Sequence, residues 1–130
     1  MQVVVIDSNE DRQHFVLSLQ NADFRVIEAL GSGDGVKSVL DLSPHLLIVG
    51  EEMPPVDGLD LLPLLRSLTE SPIMVLGGGG ELAIAQALLN GADMYVDRTI
   101  NLREFLARVW ALLRRHGTVR GSSGESLLRC

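Results

Sequence analysis

Three runs of the chain are apolar at every consecutive position: Val3-Val4-Val5-Ile6, Leu46-Leu47-Ile48-Val49 and Ile73-Met74-Val75-Leu76. Such runs predict strands buried on both faces, as in the middle of a parallel sheet. Arg25-Val26-Ile27-Glu28 and Met94-Tyr95-Val96 predict two shorter strands. Between them the apolar residues recur at helical spacing. Phe15, Val16, Leu19 and Ala22 mark a first helix; Val36, Val39 and Leu40 a second; Leu59 to Leu68 a third. Glu81 to Asn90 predicts a fourth, and Phe105, Val109, Leu112 and Leu113 give the core stripe of a fifth. Ser8 with Asp11, and Asn101 with Glu104, have the form of helix-capping pairs, and Gly91 suits a left-handed C-cap. Gly31 to Gly35 reads as a loop. Pro63 has no N–H to donate and costs about 3 kcal/mol inside a helix. The third helix is therefore expected to begin late, near Asp60, or to kink at Pro63.

Strands alternating with helices imply an α/β fold, a doubly wound five-stranded parallel sheet with five helices and right-handed crossovers. Function in such folds lies beyond the carboxyl ends of the strands. Those ends carry Asp7-Ser8, Gly50-Glu51-Glu52, Gly77-Gly78 and Asp97-Arg98.

Charge and composition narrow the classes. The 130 residues carry a net charge of −6, the wrong sign for gripping a nucleic-acid backbone or an anionic membrane surface. The one cysteine, Cys130, cannot form an internal disulfide or a metal cluster, in keeping with a reducing compartment. No apolar run has the form of a leader or the length of a membrane span, so a cytoplasmic location is expected. His14, His45 and His116 are far apart and lack metal-ligand spacing, and Trp110 reads as a packing or interface residue.

Four segments, taken in order and at their spacing, resemble the receiver domain of bacterial response regulators, and the OmpR/PhoB branch in particular. They are Val4-Val5-Ile6-Asp7, Pro54 to Gly58, Gly91-Ala92-Asp93 before Tyr95, and Leu102 to Val109. The resemblance covers residues 1–116 and implies the flavodoxin-like strand order 2-1-3-4-5. It also implies a chemistry. Two acidic residues after the first strand hold magnesium, an aspartate ending the third strand accepts a phosphoryl group, a Ser or Thr ends the fourth, and a Lys ends the fifth. The dication is needed because phosphoryl oxygens and the attacking carboxylate repel each other.

Here Asp7 keeps the first acidic position, but Ser8 stands at the second, Gly50 at the acceptor, Gly77 at the hydroxyl and Arg98 at the lysine. Glycine has nothing to phosphorylate. Side-chain alternation is expected to turn Glu51 to the opposite face, while Glu52 returns to the acceptor's side about 6–7 Å farther out. Arg98, a planar fork suited to carboxylates, is expected either to pair with Asp7 or Glu52 and fix the pocket, or to point into water. Gly77 to Gly80 lacks the Lys-Ser/Thr ending of a phosphate loop and reads as a mobile connection. No catalytic residues, metal or cofactor are assigned, and no enzymatic activity is expected.

In the OmpR/PhoB branch partners meet through the fourth helix, fifth strand and fifth helix. Glu104 and Arg108 match the family's charged positions there, while their usual opposites have become Ile84 and Met94. Leu82 to Leu89 is apolar nearly all round. The expected interface of a phosphate-independent homodimer therefore comprises Ile84, Leu88, Met94, Glu104 and Arg108. The alternative at this helix is deeper burial in its own domain. Residues 117–130 read as a Gly/Ser-rich linker, and Ser126 to Cys130 resembles the opening strand of a winged-helix DNA-binding domain lying beyond the chain. On this reading the segment is the regulatory part of an atypical transcription factor that meets DNA only through that domain. Two other readings compete: a ligand-sensing receiver with a small molecule at the emptied pocket, and a stand-alone protein adaptor.

Overall fold

The computed structural model describes residues 1–117. Five strands form the parallel sheet: β1 (Gln2–Ile6), β2 (Arg25–Ala29), β3 (Leu46–Gly50), β4 (Ile73–Gly77) and β5 (Met94–Asp97). Their spatial order is β2-β1-β3-β4-β5, all neighbours parallel. This is the doubly wound, flavodoxin-like arrangement anticipated above. The five helices are α1 (Arg12–Asn21), α2 (Ser32–Leu42), α3 (Gly58–Leu68), α4 (Glu81–Leu89) and α5 (Leu102–Arg115). None of these helices is long and apolar enough to cross a membrane. The linker and the strand-like Ser126 to Cys130 lie outside the described residues.

Strand alternation divides the core into two layers. Val3, Val5, Ile48, Met74 and Leu76 face α1 and α5, where Phe15 meets Phe105 edge to face at 4.9 Å. Val4, Ile6, Leu47, Val49 and Val75 face α2 and α3. The all-apolar strands carry residues for both layers, which is why they showed no alternation. Trp110 is half-buried against Phe24, centroids 4.9 Å apart.

Several local expectations are corrected. The supposed loop Gly31 to Gly35 is largely helix, since α2 begins at Ser32. A Cβ on Gly35 would lie 2.7–2.9 Å from the Ile6 side chain, so glycine here serves close helix–sheet packing. Helix α3 starts at Gly58, earlier than Asp60, because Asp57 caps it by accepting from Leu59 N at 2.9 Å. It runs on through Pro63, which is exposed and leaves the Leu59 carbonyl without its helical donor. Ser8 caps nothing: α1 begins after Asp11, with no side-chain cap hydrogen bond. Asn101 does cap α5, accepting from Arg103 N and Glu104 N. Pro54 to Gly58 includes a small antiparallel ribbon, Glu52–Met53 with Val56–Asp57, around a cis Pro54–Pro55 bond.

Candidate functional site

The ends of β1, β3, β4 and β5 converge on one edge of the sheet. Asp7 follows β1 and is completely buried. Its Oδ1 accepts from Arg98 Nη2 at 2.5 Å and more weakly from Asn9 N at 3.3 Å. Arg98 follows β5, and its backbone N–H is held by the Gly77 carbonyl at 2.9 Å. Its other arm, Nη1, reaches Asp11 Oδ1 at 2.5 Å. One guanidinium thus bridges the two carboxylates that flank the turn from β1 into α1. Of the expected partners Asp7 is engaged and Glu52 is not; Glu52 is exposed on the rim. Asp11 was missed because its spacing from Ser8 suggested a cap.

Gly50 lies directly beneath this bridge. A Cβ built there would collide with Asp7 Oδ1 and stand 2.9 Å from Arg98 Nη2. The Asp7 carboxylate and its arginine partner therefore fill the volume into which a side chain at position 50 would project. Gly58 donates its N–H to the Glu51 carbonyl at 2.8 Å, and a Cβ on it would collide with the Gly50 carbonyl oxygen. The glycine that opens α3 thus lets the ribbon fold tightly over the end of β3.

A second network covers Gly77. Tyr95 donates its hydroxyl to Glu51 Oε1 at 2.5 Å and accepts from Gly79 N at 2.9 Å. A Cβ on Gly77 would collide with the Tyr95 hydroxyl and with Glu51 Oε1. The expectation that Glu51 faces away from this side is therefore wrong. Its N–H still pairs with Leu76 O, but the chain leaves β3 at Gly50, and beyond a strand end alternation no longer fixes a long side chain. Burial first, and then donation to Glu51, push the Tyr95 phenol up to about 12. Tyr95 was not singled out from sequence. The clue was its register: β5 pairs Tyr95 with Val75 and Asp97 with Gly77, so the ring stands one pleat away from a position without a side chain. Asp97 caps the following turn through Thr99 N and Oγ1, which hold its carboxyl below the usual range.

Asn9, Glu51, Glu52, Gly77, Gly78 and Arg98 line a cleft of about 160 Å³ at this edge. The magnesium that the resemblance implies does not fit these residues. Asp7 Oδ1 already faces a cation, Ser8 is a poor ligand for a hard cation, and Gly50 offers no carboxylate. Asp7 Oδ2 is buried without a hydrogen-bond partner, but no group of three or more His, Cys, Asp or Glu suited to a metal occurs among the described residues.

The predicted interface residues lie on α4, β5 and α5, around the edge strand of the sheet. Helix α4 buries only Ala87, leaving Leu82, Ile84, Leu88 and Leu89 exposed at 72, 36, 47 and 85%. The alternative of deeper burial within the domain is thereby overturned. Met94 is half-buried against the α1/α5 layer. Glu104 and Arg108 pair with each other along α5 at 2.9 Å and line, with Tyr95, Asp97 and Thr99, a groove of about 410 Å³ beside the edge strand.

Residues 3–110 match the family model described as the response regulator receiver domain. The transcriptional regulatory protein PrrA of Mycobacterium tuberculosis is 30% identical over 129 residues, covering 97% of this chain and 55% of that protein. The transcriptional regulatory protein CpxR of Escherichia coli K12 is 33% identical over 116 residues, covering 88% of this chain and 50% of CpxR. The chain thus spans about half the length of these curated relatives. A two-component response regulator from Clostridium difficile has the same fold, with a TM-score of 0.84 at 24% identity over 89% of this chain and 98% of that one.

Proposed function

The chain belongs to the response regulator receiver family, and on that premise we propose that it is a regulatory module of two-component-type signalling that works without an aspartyl phosphate. One observation carries this reading. The position matching the family's acceptor is Gly50, and the space above it is taken by the Arg98–Asp7 ion pair. A guanidinium bound to two carboxylates supplies fixed positive charge where the family brings in magnesium and phosphate. The pocket then has one state. The test is mass spectrometry of the protein after incubation with acetyl phosphate and magnesium. An unmodified mass is expected, and a stoichiometric gain of one phosphoryl group, on Glu51 or Glu52 for instance, would overturn the proposal.

With the pocket fixed, the output falls to the α4–β5–α5 face, which we read as a homodimer surface. A two-fold interface must be complementary to itself. An apolar α4 beside a Glu104/Arg108 pair of opposite charges meets that requirement. Sedimentation is expected to show a dimer at micromolar concentration that Ile84→Glu splits, because the new charge would be buried unpaired. A wild-type monomer would count for an adaptor that docks on a different protein. The relatives' names suggest transcriptional control, exerted on DNA through a further domain. A sensor of small molecules is less well supported, because a cleft of about 160 Å³ is well below the roughly 300–1,000 Å³ of ordinary ligand pockets.

A further inference from the structure

Asp93 stands just before β5, at the amino edge of the sheet and so at the far end from the cleft. Its Oδ2 accepts from Ile73 N at 2.9 Å and from Arg66 Nη1 at 3.0 Å. Arg66, in the last turn of α3, also donates to the carbonyls of Gly91, Thr69 and Ser71. The carboxylate is thus pinned to α3 and β4, and Oδ1 is the oxygen that these contacts do not use. His116, the C-cap of α5, faces it: Nε2 lies 3.4 Å from Asp93 Oδ1, and Nδ1 lies 3.1 Å from Leu112 O. The other charges at this end are Arg114 and Arg115 on the same helix and Arg66 across the carboxylate. Among the described residues, Asp93 is the acid within ion-pair reach of the ring.

A carbonyl oxygen only accepts, so Nδ1 carries a hydrogen. In the neutral ring Nε2 then turns a lone pair toward a carboxylate, and two acceptors repel. The imidazolium, with a hydrogen on each nitrogen, satisfies both contacts, and its charge suits the C-terminus of α5. We propose that His116 and Asp93 form a proton-dependent clasp that holds the last turn of α5, and with it the point at which the chain leaves the receiver domain. The carboxylate is fixed, and Leu113 is the last buried side chain of the helix. The part free to respond is therefore the turn ending in Gly117, whose N–H donates to Arg114 O at 3.0 Å. Because the contact needs the added proton, it is formed below the range in which histidine titrates and is lost above it. Neither the dimer reading nor the fixed pocket enters this inference.

The test is amide hydrogen exchange of the whole chain from about pH 5 to 8, followed by NMR and divided by the intrinsic rate at each pH. His116 N, which donates to Leu112 O at 3.2 Å, and Gly117 N report on the last turn. Val109, buried in the middle of α5, is the internal reference. The two side chains are 31 and 27% exposed, so solvent partly screens the pair. Protection of the two amides relative to Val109 should fall by roughly two- to fivefold as the pH rises. His116→Gln keeps His14 and His45 and should abolish that fall. Asp93→Asn, which retains an acceptor for Ile73 N, should reduce it. Protection that stays level in the wild type, or falls equally in His116→Gln, would overturn the clasp. A fall undiminished in Asp93→Asn would overturn the pairing, since the ring would then act through the helix end alone.

Discussion

Arg98 and Asp7, separated by 91 positions in sequence, lie 2.5 Å apart across the carboxyl edge of the sheet, and the carboxylate of the pair is completely buried. Removing one member of a buried ion pair leaves the other charged without compensation, which costs about 3–5 kcal/mol. Arg98→Met is expected to destabilise by that amount, read from urea unfolding by the fluorescence of Trp110, the single tryptophan. Adding Asp7→Asn should restore part of the loss. If the two losses simply add, the residues are uncoupled and the fixed pocket is refuted.

Restoring the missing carboxylate alone should not restore the chemistry. Gly50→Asp must push its Cβ into the space of Asp7 Oδ1 and Arg98 Nη2. Overpacking of this kind costs about 1–3 kcal/mol. The variant is expected to melt lower than wild type and to gain no mass from acetyl phosphate with magnesium. Gly50→Asp combined with Arg98→Lys, which removes the planar fork, should recover stability relative to the single variant. Efficient phosphorylation of Gly50→Asp alone would show that Arg98 yields easily.

Tyr95 is the only tyrosine, so tyrosinate absorbance reports on it alone. Its phenol is pushed up to about 12, against about 10 when unfolded. A raised folded value means that the native state holds its proton longer. This contribution to stability is complete below pH 10 and is lost as the pH rises through about 12. Absorbance should therefore titrate near 12 in the native protein, and Glu51→Ala should move the midpoint down. A native midpoint near 10 would place the hydroxyl in solvent instead of between Glu51 and Gly79.

Two glycines of α2 provide an internal contrast. Nothing lies within 4 Å of a Cβ on Gly33, so Gly33→Ala should stabilise by about 0.5–1 kcal/mol through lower backbone entropy of the unfolded chain. Gly35→Ala drives a methyl against Ile6 and should destabilise by about 1–3 kcal/mol. Thermal melts of the pair decide it; the same sign for both would contradict the close packing of α2 on β1.

The sheet was legible because its central strands are apolar on both faces and separated by helical periodicity, a pattern that few other architectures produce. The positions of Asp7, Gly50, Gly77 and Arg98 at strand ends followed from the same pattern, and the family resemblance supplied the order that makes those strands neighbours. What could not be read lay beyond the ends of regular elements. Glu51 sits one residue past β3, where the pleat no longer dictates direction, and its partner Tyr95 is 44 positions away. Asp11 was claimed by a local capping pattern and is used instead by Arg98 from the far end of the domain. The glycines of α2 spoke for a loop, and only packing against Ile6 explains a helix there.

The reach of the Arg98 bridge also bears on the order in which the domain is completed. Asp7 belongs to the first strand, whereas its counter-charge arrives only with the last. Any partly folded species that has docked β1 and β3 without β5 must bury a lone carboxylate or leave it in water, and closing so long a loop is slow. Partial structures that exclude Asp7 from water before Arg98 arrives are thereby penalised.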